Sequence, residues 1–158
     1  MRRRDREIPL DEALAVLDSA EYGVLSLVNS QGKPYAVPVS FVRDDDHLIF
    51  HCATEGRKLD GIRHQPVVAF CTVGHTKILP GQFTTEYESV LIEGIAEIIE
   101  NEQQKIDDLL KLCKKYATDD SDAIDRMIDQ YLHRTVVVKI RMTAITGKAN
   151  RYCAGNKN

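Results

Sequence analysis

Three runs of β-branched and apolar residues, at 24–28, 35–42 and 48–52, follow one another with turn-forming stretches around Asn29-Ser30-Gln31-Gly32 and Asp44-Asp45-Asp46 between them. Polar, Gly- and Asp-rich spacers of this kind are turns. Parallel neighbours would need crossovers of a dozen or more residues, so the spacing predicts an antiparallel meander. Pro38 lacks a ladder donor, which moves the second strand to an edge, a bulge or a barrel seam.

The remaining elements follow the same logic. Leu10, Ala13, Leu14 and Leu17 repeat at helical spacing behind Pro9, with Asp11 and Glu12 in the first turn, and predict a short helix ending near 22–23. A second helix is expected at 55–64, closed by Pro66, and a fourth strand at 67–73. Residues 74–86, with Pro80-Gly81, read as a long loop. Residues 89–99 form a fifth strand in which Gly94 marks a bulge or a close approach to the backbone. Two helices come next. One carries Ile106, Leu109, Leu110 and Cys113 behind an Asn101 cap; the other carries Ile124, Met127, Ile128, Tyr131 and Leu132 behind a Ser121 cap. Residues 136–142 return to strand. The order α-βββ-α-ββ-αα-β lacks strand–helix alternation, so the expected architecture is α+β: a six-stranded antiparallel sheet closed into a small barrel and decorated by helices. One domain over 1–150 and a polar, frayed tail over 151–158 complete the reading.

Composition narrows the function. A chain of 158 residues buries roughly 70% of its unfolded surface and can build a core without disulfides or a structural metal. Its net charge of −3 argues against a partner bound through nucleic-acid phosphates, and the Arg2-Arg3-Arg4 run is diluted by Asp5 and Glu7. No apolar stretch approaches the roughly 20 residues that cross a bilayer, and residues 1–7 do not lead into a secretory h-region. The expected location is the cytoplasm, with Cys52, Cys71, Cys113 and Cys153 as scattered reduced thiols. No metal is expected: His47 and His51, at i and i+4 on a strand, stand about 13 Å apart.

The segment Phe50-His51-Cys52-Ala53-Thr54-Glu55-Gly56-Arg57-Lys58-Leu59 carries the most chemistry. A strand ends, Thr54 stands at a cap position, Gly56 admits close backbone approach, and Arg57 and Lys58 lie in a helix's first turn. Free amides and two cations there would hold a dianionic phosphate. The plainer alternative is an exposed helix start with solvated cations. His51, at the strand end beside this cradle, either lines a ligand pocket or is a hydrogen-bonded structural histidine. No nucleophile elbow, P-loop or dinucleotide fingerprint occurs.

Together, Gly23-Val-Leu-Ser, Gly32-Lys-Pro-Tyr35-Ala-Val-Pro38-Val-Ser-Phe41, Phe50-His51-Cys-Ala53-Thr-Glu-Gly56-Arg-Lys58-Leu-Asp60, Phe83-Thr-Thr-Glu-Tyr87-Glu-Ser89-Val and Ile145-Thr-Gly147-Lys148-Ala make the chain resemble the nitroimidazole-resistance (NimA-like) branch of the pyridoxamine 5′-phosphate oxidase-like, FMN-binding split-barrel superfamily. The resemblance runs from about residue 2 to 150. It implies a homodimer with FMN in clefts between subunits. Pro38, Val39, Ser40 and Phe41 would offer backbone groups to the ring edge, and His51, Cys52 and Ala53 would approach the ring and ribityl chain. Thr54, Gly56, Arg57 and Lys58 would hold the phosphate. Tyr87 and Ser89 would reach in from the other subunit, with Lys148 near the ring. The implied activity is flavin-dependent reduction of a small nitroaromatic, with His51 as proton donor or ring-positioning group. The C-terminal Arg-containing substrate motif of the oxidases proper is missing, so their substrate is not carried over. The competing class is a non-catalytic split barrel holding heme or a deazaflavin. A nucleic-acid-binding barrel would need a basic, aromatic-studded face, and the chain has no Trp and a negative charge.

Overall fold

A computed structural model describes residues 2–117 and 120–151. The chain forms β1 (Glu7–Ile8), α1 (Leu10–Ser19), β2 (Gly23–Val28), β3 (Pro34–Val39), β4 (Val42–Asp44), β5 (His47–Ala53), α2 (Arg57–His64), β6 (Val67–Leu79), β7 (Thr84–Ile99), α3 (Glu102–Tyr116), α4 (Ser121–Tyr131) and β8 (Thr135–Asn150). Of the tail expected over 151–158, Arg151 is described and pairs with Glu12 and Glu88, and residues 152–158, including Cys153, lie outside the described residues.

The sheet has eight strands rather than six, all pairs antiparallel, in the order β3-β2-β6-β7-β8-β5-β4 with β1 added on β8. Two strands are additional because the run expected as one strand over 35–42 divides at Ser40-Phe41 into β3 and β4, and because Glu7 and Ile8 pair with Lys148 and Gly147. The ladder is also not closed: β3 and β4 occupy its opposite ends and do not pair. They are nevertheless consecutive in the chain. Val39 and Val42 can be no more than about 11 Å apart across three peptide steps, so the sheet curls until its two ends nearly meet. That geometry is a split barrel, with the split between β3 and the far half of β5. Pro34 and Pro38 lie on an edge strand, where a missing donor costs nothing in the ladder.

Residues 76–79 pair with 84–87, so the stretch expected as a loop is a long hairpin arm. Only Pro80–Gln82 and Phe83, whose φ is 50°, make its tip; Thr76, Ile78, Thr84 and Thr85 are strand formers on either side. The bulge expected at Gly94 is present. The β7–β8 register shifts between Glu93 and Gly94, and a Cβ on Gly94 would stand 2.7 Å from the Arg141 carbonyl oxygen.

Two apolar clusters divide along β5 and β8. Leu48 and Phe50 face the barrel interior with Phe41, Phe70, Val138 and Ile140, where α1 adds Ala13, Val16 and Leu17. Ile49 and Val137 face the other way, onto Leu109, Leu112 and Ile128 of α3 and α4. Period-two alternation therefore sends His51 to the helical side and Cys52 toward the barrel. Asn101 caps α3 through the Gln104 amide as expected; α4 is capped by Asp120, through the Ala123 amide, one residue before the expected Ser121. Among the described residues no helix is long and apolar enough to cross a membrane.

Candidate functional site

The split brings two expected groups together. β4 pairs with β5 through Val42–Ile49, Arg43–Leu48 and Asp44–His47. Continuing that register two steps sets Ser40 opposite His51, but there the strands part, and both residues line one cavity. Pro38, Val39, Ser40 and Phe41 thus stand on one side of the opening, with His51, Cys52 and Ala53 on the other. The β5 edge beyond Phe50 has no strand neighbour on this side, so its backbone groups are open to a ligand.

The crossing between the edges is held from α3. The Phe41 amide donates to the Tyr116 hydroxyl at 2.9 Å, and the single Tyr116 proton lies between the carbonyls of Phe41, at 2.7 Å, and Glu21, at 2.6 Å. Burial raises the Tyr116 phenol pKa. Lys115 donates to the Ala20 carbonyl and sits 4.4 Å over the Phe41 ring; desolvation lowers its pKa.

At the end of β5 the chain turns into α2. Thr54 is not the cap. The helix begins at Arg57, and its N-cap is Gly56, at φ 127° and ψ 168°, with no side chain satisfying the first amides. A Cβ on Gly56 would meet no atom within 4 Å, so the space beside this backbone is open. Arg57 lies 4.5 Å over the Tyr35 ring, which fixes the guanidinium near β3. Lys58 is half-buried and near enough to Cys52 to oppose the rise that burial imposes on that thiol. Among the described residues no carboxylate pairs with Arg57 or Lys58. An uncapped helix start with two unneutralised cations and an empty space at the glycine fits a phosphate.

Tyr87, Ser89 and Lys148 form a separate group. Ser89 pairs with Lys148, whereas His51 pairs with Val137, roughly 35 Å of strand path back along β8. The Tyr87 hydroxyl accepts from Arg6 at 3.3 Å, and the Lys148 ammonium lies 5.6 Å from the Tyr87 ring centroid. Desolvation alone would raise the Tyr87 pKa, but hydrogen bonds and charge from Lys148 and Arg6 lower it. Arg6 was hidden in the sequence because only the β1–β8 pairing brings the N-terminal segment here.

The helical wall was also missed. A cavity of about 490 Å³ lies between α3, α4 and the β5–β8 edge, walled by Leu109, Leu112, Met127, Ile128 and Tyr131, with Ser40, His51, Arg134 and Thr135 as its polar groups. Desolvation at this wall lowers the His51 pKa, which favours the neutral imidazole. The sequence places Met127 and Tyr131 on the apolar stripe of α4, but only the fold shows that they are 56% and 42% exposed. Among the described residues no three His, Cys, Asp or Glu side chains are grouped to hold a metal ion.

Across the outer face of the sheet, register aligns Pro38, Val24, Cys71 and Leu91 in one row and Ala36, Ser26, Ala69 and Glu93 in the next. Val67, Val73 and Ile95 extend it, each more than a third exposed. An antiparallel sheet with one solvated face is normally polar there, so this face is built to be covered.

The family model for pyridoxamine 5′-phosphate oxidase matches residues 9–149. Among solved structures, a conserved hypothetical protein from Mycobacterium tuberculosis is 19% identical with a TM-score of 0.81, covering 98% of this chain and 97% of that one. A candidate 5-nitroimidazole antibiotic resistance protein from Bacteroides thetaiotaomicron is 22% identical with a TM-score of 0.74, over 92% and 90% of the two chains. An FAD-binding protein from Mesorhizobium loti is 20% identical with a TM-score of 0.68, over 92% and 98%. No curated protein matches the chain.

Proposed function

The chain belongs to the pyridoxamine 5′-phosphate oxidase family, and from that membership we propose that it is an FMN-binding oxidoreductase that works as a homodimer in the cytoplasm. The observation that carries the reading is the cradle at Gly56, Arg57 and Lys58, placed at the rim of a split whose two strand edges are unpaired. Arg57, Lys58 and the first amides of α2 would hold the phosphate. Backbone groups of Pro38, Val39 and Ser40 on one side, and of His51, Cys52 and Ala53 on the other, would orient the ring edge, while both Phe41 backbone groups are taken by the Tyr116 hydroxyl. Cys52 takes part through its backbone, because its side chain packs toward the barrel. When bound, the flavin supplies two-electron transfer, and the protein supplies orientation and exclusion of water.

His51 is the catalytic residue of this reading. Its imidazole opens on the same cavity as Ser40 and finds no hydrogen-bond partner among the described residues, and desolvation lowers its pKa. The neutral imidazole can donate a hydrogen bond that positions the ring or the acceptor, and its imidazolium form is the one that would deliver a proton to an acceptor reduced in that cavity. The acceptor is a small aromatic molecule, of which nitroimidazoles are the members that the NimA-like resemblance supplies.

The homodimer rests on two features. Tyr87, Ser89 and Lys148 stand eleven or more residues along β8 from the His51 edge and three or four strands across from β3, so in this reading they complete a partner's site rather than their own. The apolar outer face of β3, β2, β6 and β7 is a surface for a second copy.

A visible spectrum of the purified protein tests the cofactor. Bands at about 375 and 450 nm that persist through gel filtration support FMN. A Soret band or a deazaflavin spectrum would replace it, and a colourless protein that also fails to take up added FMN would end the proposal.

A further inference from the structure

The cavity between α3, α4 and the β5–β8 edge has a chemistry of its own. Its helical side is apolar, through Leu109, Leu112, Met127, Ile128 and Tyr131, and its polar groups come from the strand side, through Ser40, His51, Arg134 and Thr135. Packing does not close it: Met127 and Tyr131 lie on the buried-type stripe of α4 and remain open to the cavity. Among the described residues Arg134 is the only lysine or arginine lining it, and no carboxylate pairs with that guanidinium. Among the described residues no carboxylate lines it. Thr135 donates its hydroxyl proton to the Tyr131 carbonyl at 2.9 Å, which leaves Arg134 and the imidazole among the groups able to receive a ligand.

We propose that this cavity binds an aromatic monocarboxylate, with the ring system against α3 and α4 and the carboxylate received by Arg134, in the same cavity that His51 lines. Size supports the ring system. An apolar cavity of about 150 Å³ takes one benzene, and this one is about 490 Å³, which accommodates two fused rings with their substituent. Charge supports the head group, because a guanidinium without a protein partner at the edge of an apolar wall is matched by a planar, two-oxygen anion. Binding itself requires no cofactor. The role of the bound acid does rest on the flavin reading, under which the physiological acceptor is an aromatic acid presented to the split.

The test uses 2-naphthoate and its uncharged analogue 2-naphthamide, with binding to the full-length protein followed by saturation-transfer NMR and flavin content read separately from the visible spectrum. The expected result is saturable binding in which naphthoate exceeds naphthamide at least tenfold. Arg134→Gln should erase that preference, and Met127→Glu should weaken both ligands at least tenfold. Both positions are exposed, so both variants should fold, as circular dichroism would verify. Flavin content should be unchanged in both. Naphthoate bound equally by the wild type and Arg134→Gln would overturn the proposal, as would displacement of flavin by naphthoate, which would make the cavity the cofactor's own slot. A protein that binds naphthoate as described but takes up no flavin would remove the cofactor reading alone.

Discussion

The Tyr116 hydroxyl, on the last turn of α3, occupies the break between β3 and β4, accepting from the Phe41 amide at 2.9 Å and facing the Phe41 carbonyl at 2.7 Å. A side chain thereby does what a neighbouring strand would do in a closed barrel. It satisfies the backbone at the one point where the sheet lets go of itself, and it ties the helical wall of the cavity to the strand edge opposite His51.

Tyr116→Phe should therefore lower stability by about 1–2 kcal/mol, since it leaves the part-buried Phe41 N–H without a partner while keeping the ring. Urea unfolding measures this. A loss below about 0.5 kcal/mol, the ordinary spread for a surface change, would show that water substitutes for the hydroxyl.

Gly56→Ala separates conformation from contact. Nothing stands where the methyl would go, but φ 127° with ψ 168° lies in a region that is essentially glycine's alone, so the cost is about 1–3 kcal/mol of backbone strain. If the α2 start holds the phosphate, FMN affinity should fall at least tenfold as well. Fluorescence titration with FMN reads the second effect, and riboflavin, which lacks the phosphate, should show little difference between variant and wild type.

Asp108 is 1% exposed, with one oxygen 3.3 Å from Lys111 and 3.5 Å from Lys139, and the other without a hydrogen-bond partner among the described residues. Both lysines also reach Asp44, so α3, β4 and β8 are joined through one charge cluster. Lys139→Met takes away the less exposed partner of a buried charge and should cost ~3 kcal/mol. Asp108→Asn removes the charge itself and should cost less. Denaturant midpoints that reverse this order would mean that the pair, rather than the buried carboxylate, sets the energy.

His51 gives a pH signature. Its folded pKa is lowered from 6.5 by desolvation, so below that value the unfolded chain binds the extra proton first. Its contribution to stability is then full above 6.5 and is lost as pH falls toward the folded pKa. His51→Gln should show a smaller drop in urea midpoint between about pH 7.5 and 5.5 than the wild type, the carboxylate contribution being common to both. Equal drops would place His51 in an environment as wet as the unfolded chain's.

Antiparallel pairing, the seam at Pro38 and the bulge at Gly94 were legible in the sequence because each depends on backbone properties of one residue or on a period of two. The division at Ser40-Phe41 was not, since nothing local distinguishes those residues from the rest of an apolar run; Tyr116, distant in sequence, makes the break tolerable. The arm over 76–87 was misread because Pro80-Gly81 is a strong turn signal whose reach along the chain only pairing can define. In the site, the cradle and His51 were visible as a contiguous motif. Arg6, Arg134 and the α3–α4 wall were not, because they join it only through the order of strands in the sheet.

That order also exposes Leu91. It stands at the end of the row Pro38, Val24, Cys71, Leu91, 48% exposed on a sheet face that carries little charge. If a second copy covers this face, Leu91→Arg buries an unpaired guanidinium in the contact, a several-fold larger penalty than the loss of one apolar side chain. The variant should sediment as a monomer where the wild type sediments as a dimer. Its fold should persist, because Leu91 points away from the barrel interior that Val90 and Ile92 fill. Flavin should be lost with the dimer if Tyr87, Ser89 and Lys148 complete the partner's site. A monomer that retains FMN at wild-type affinity would confine the cofactor site to one chain, and an unchanged dimer would move the interface to another face.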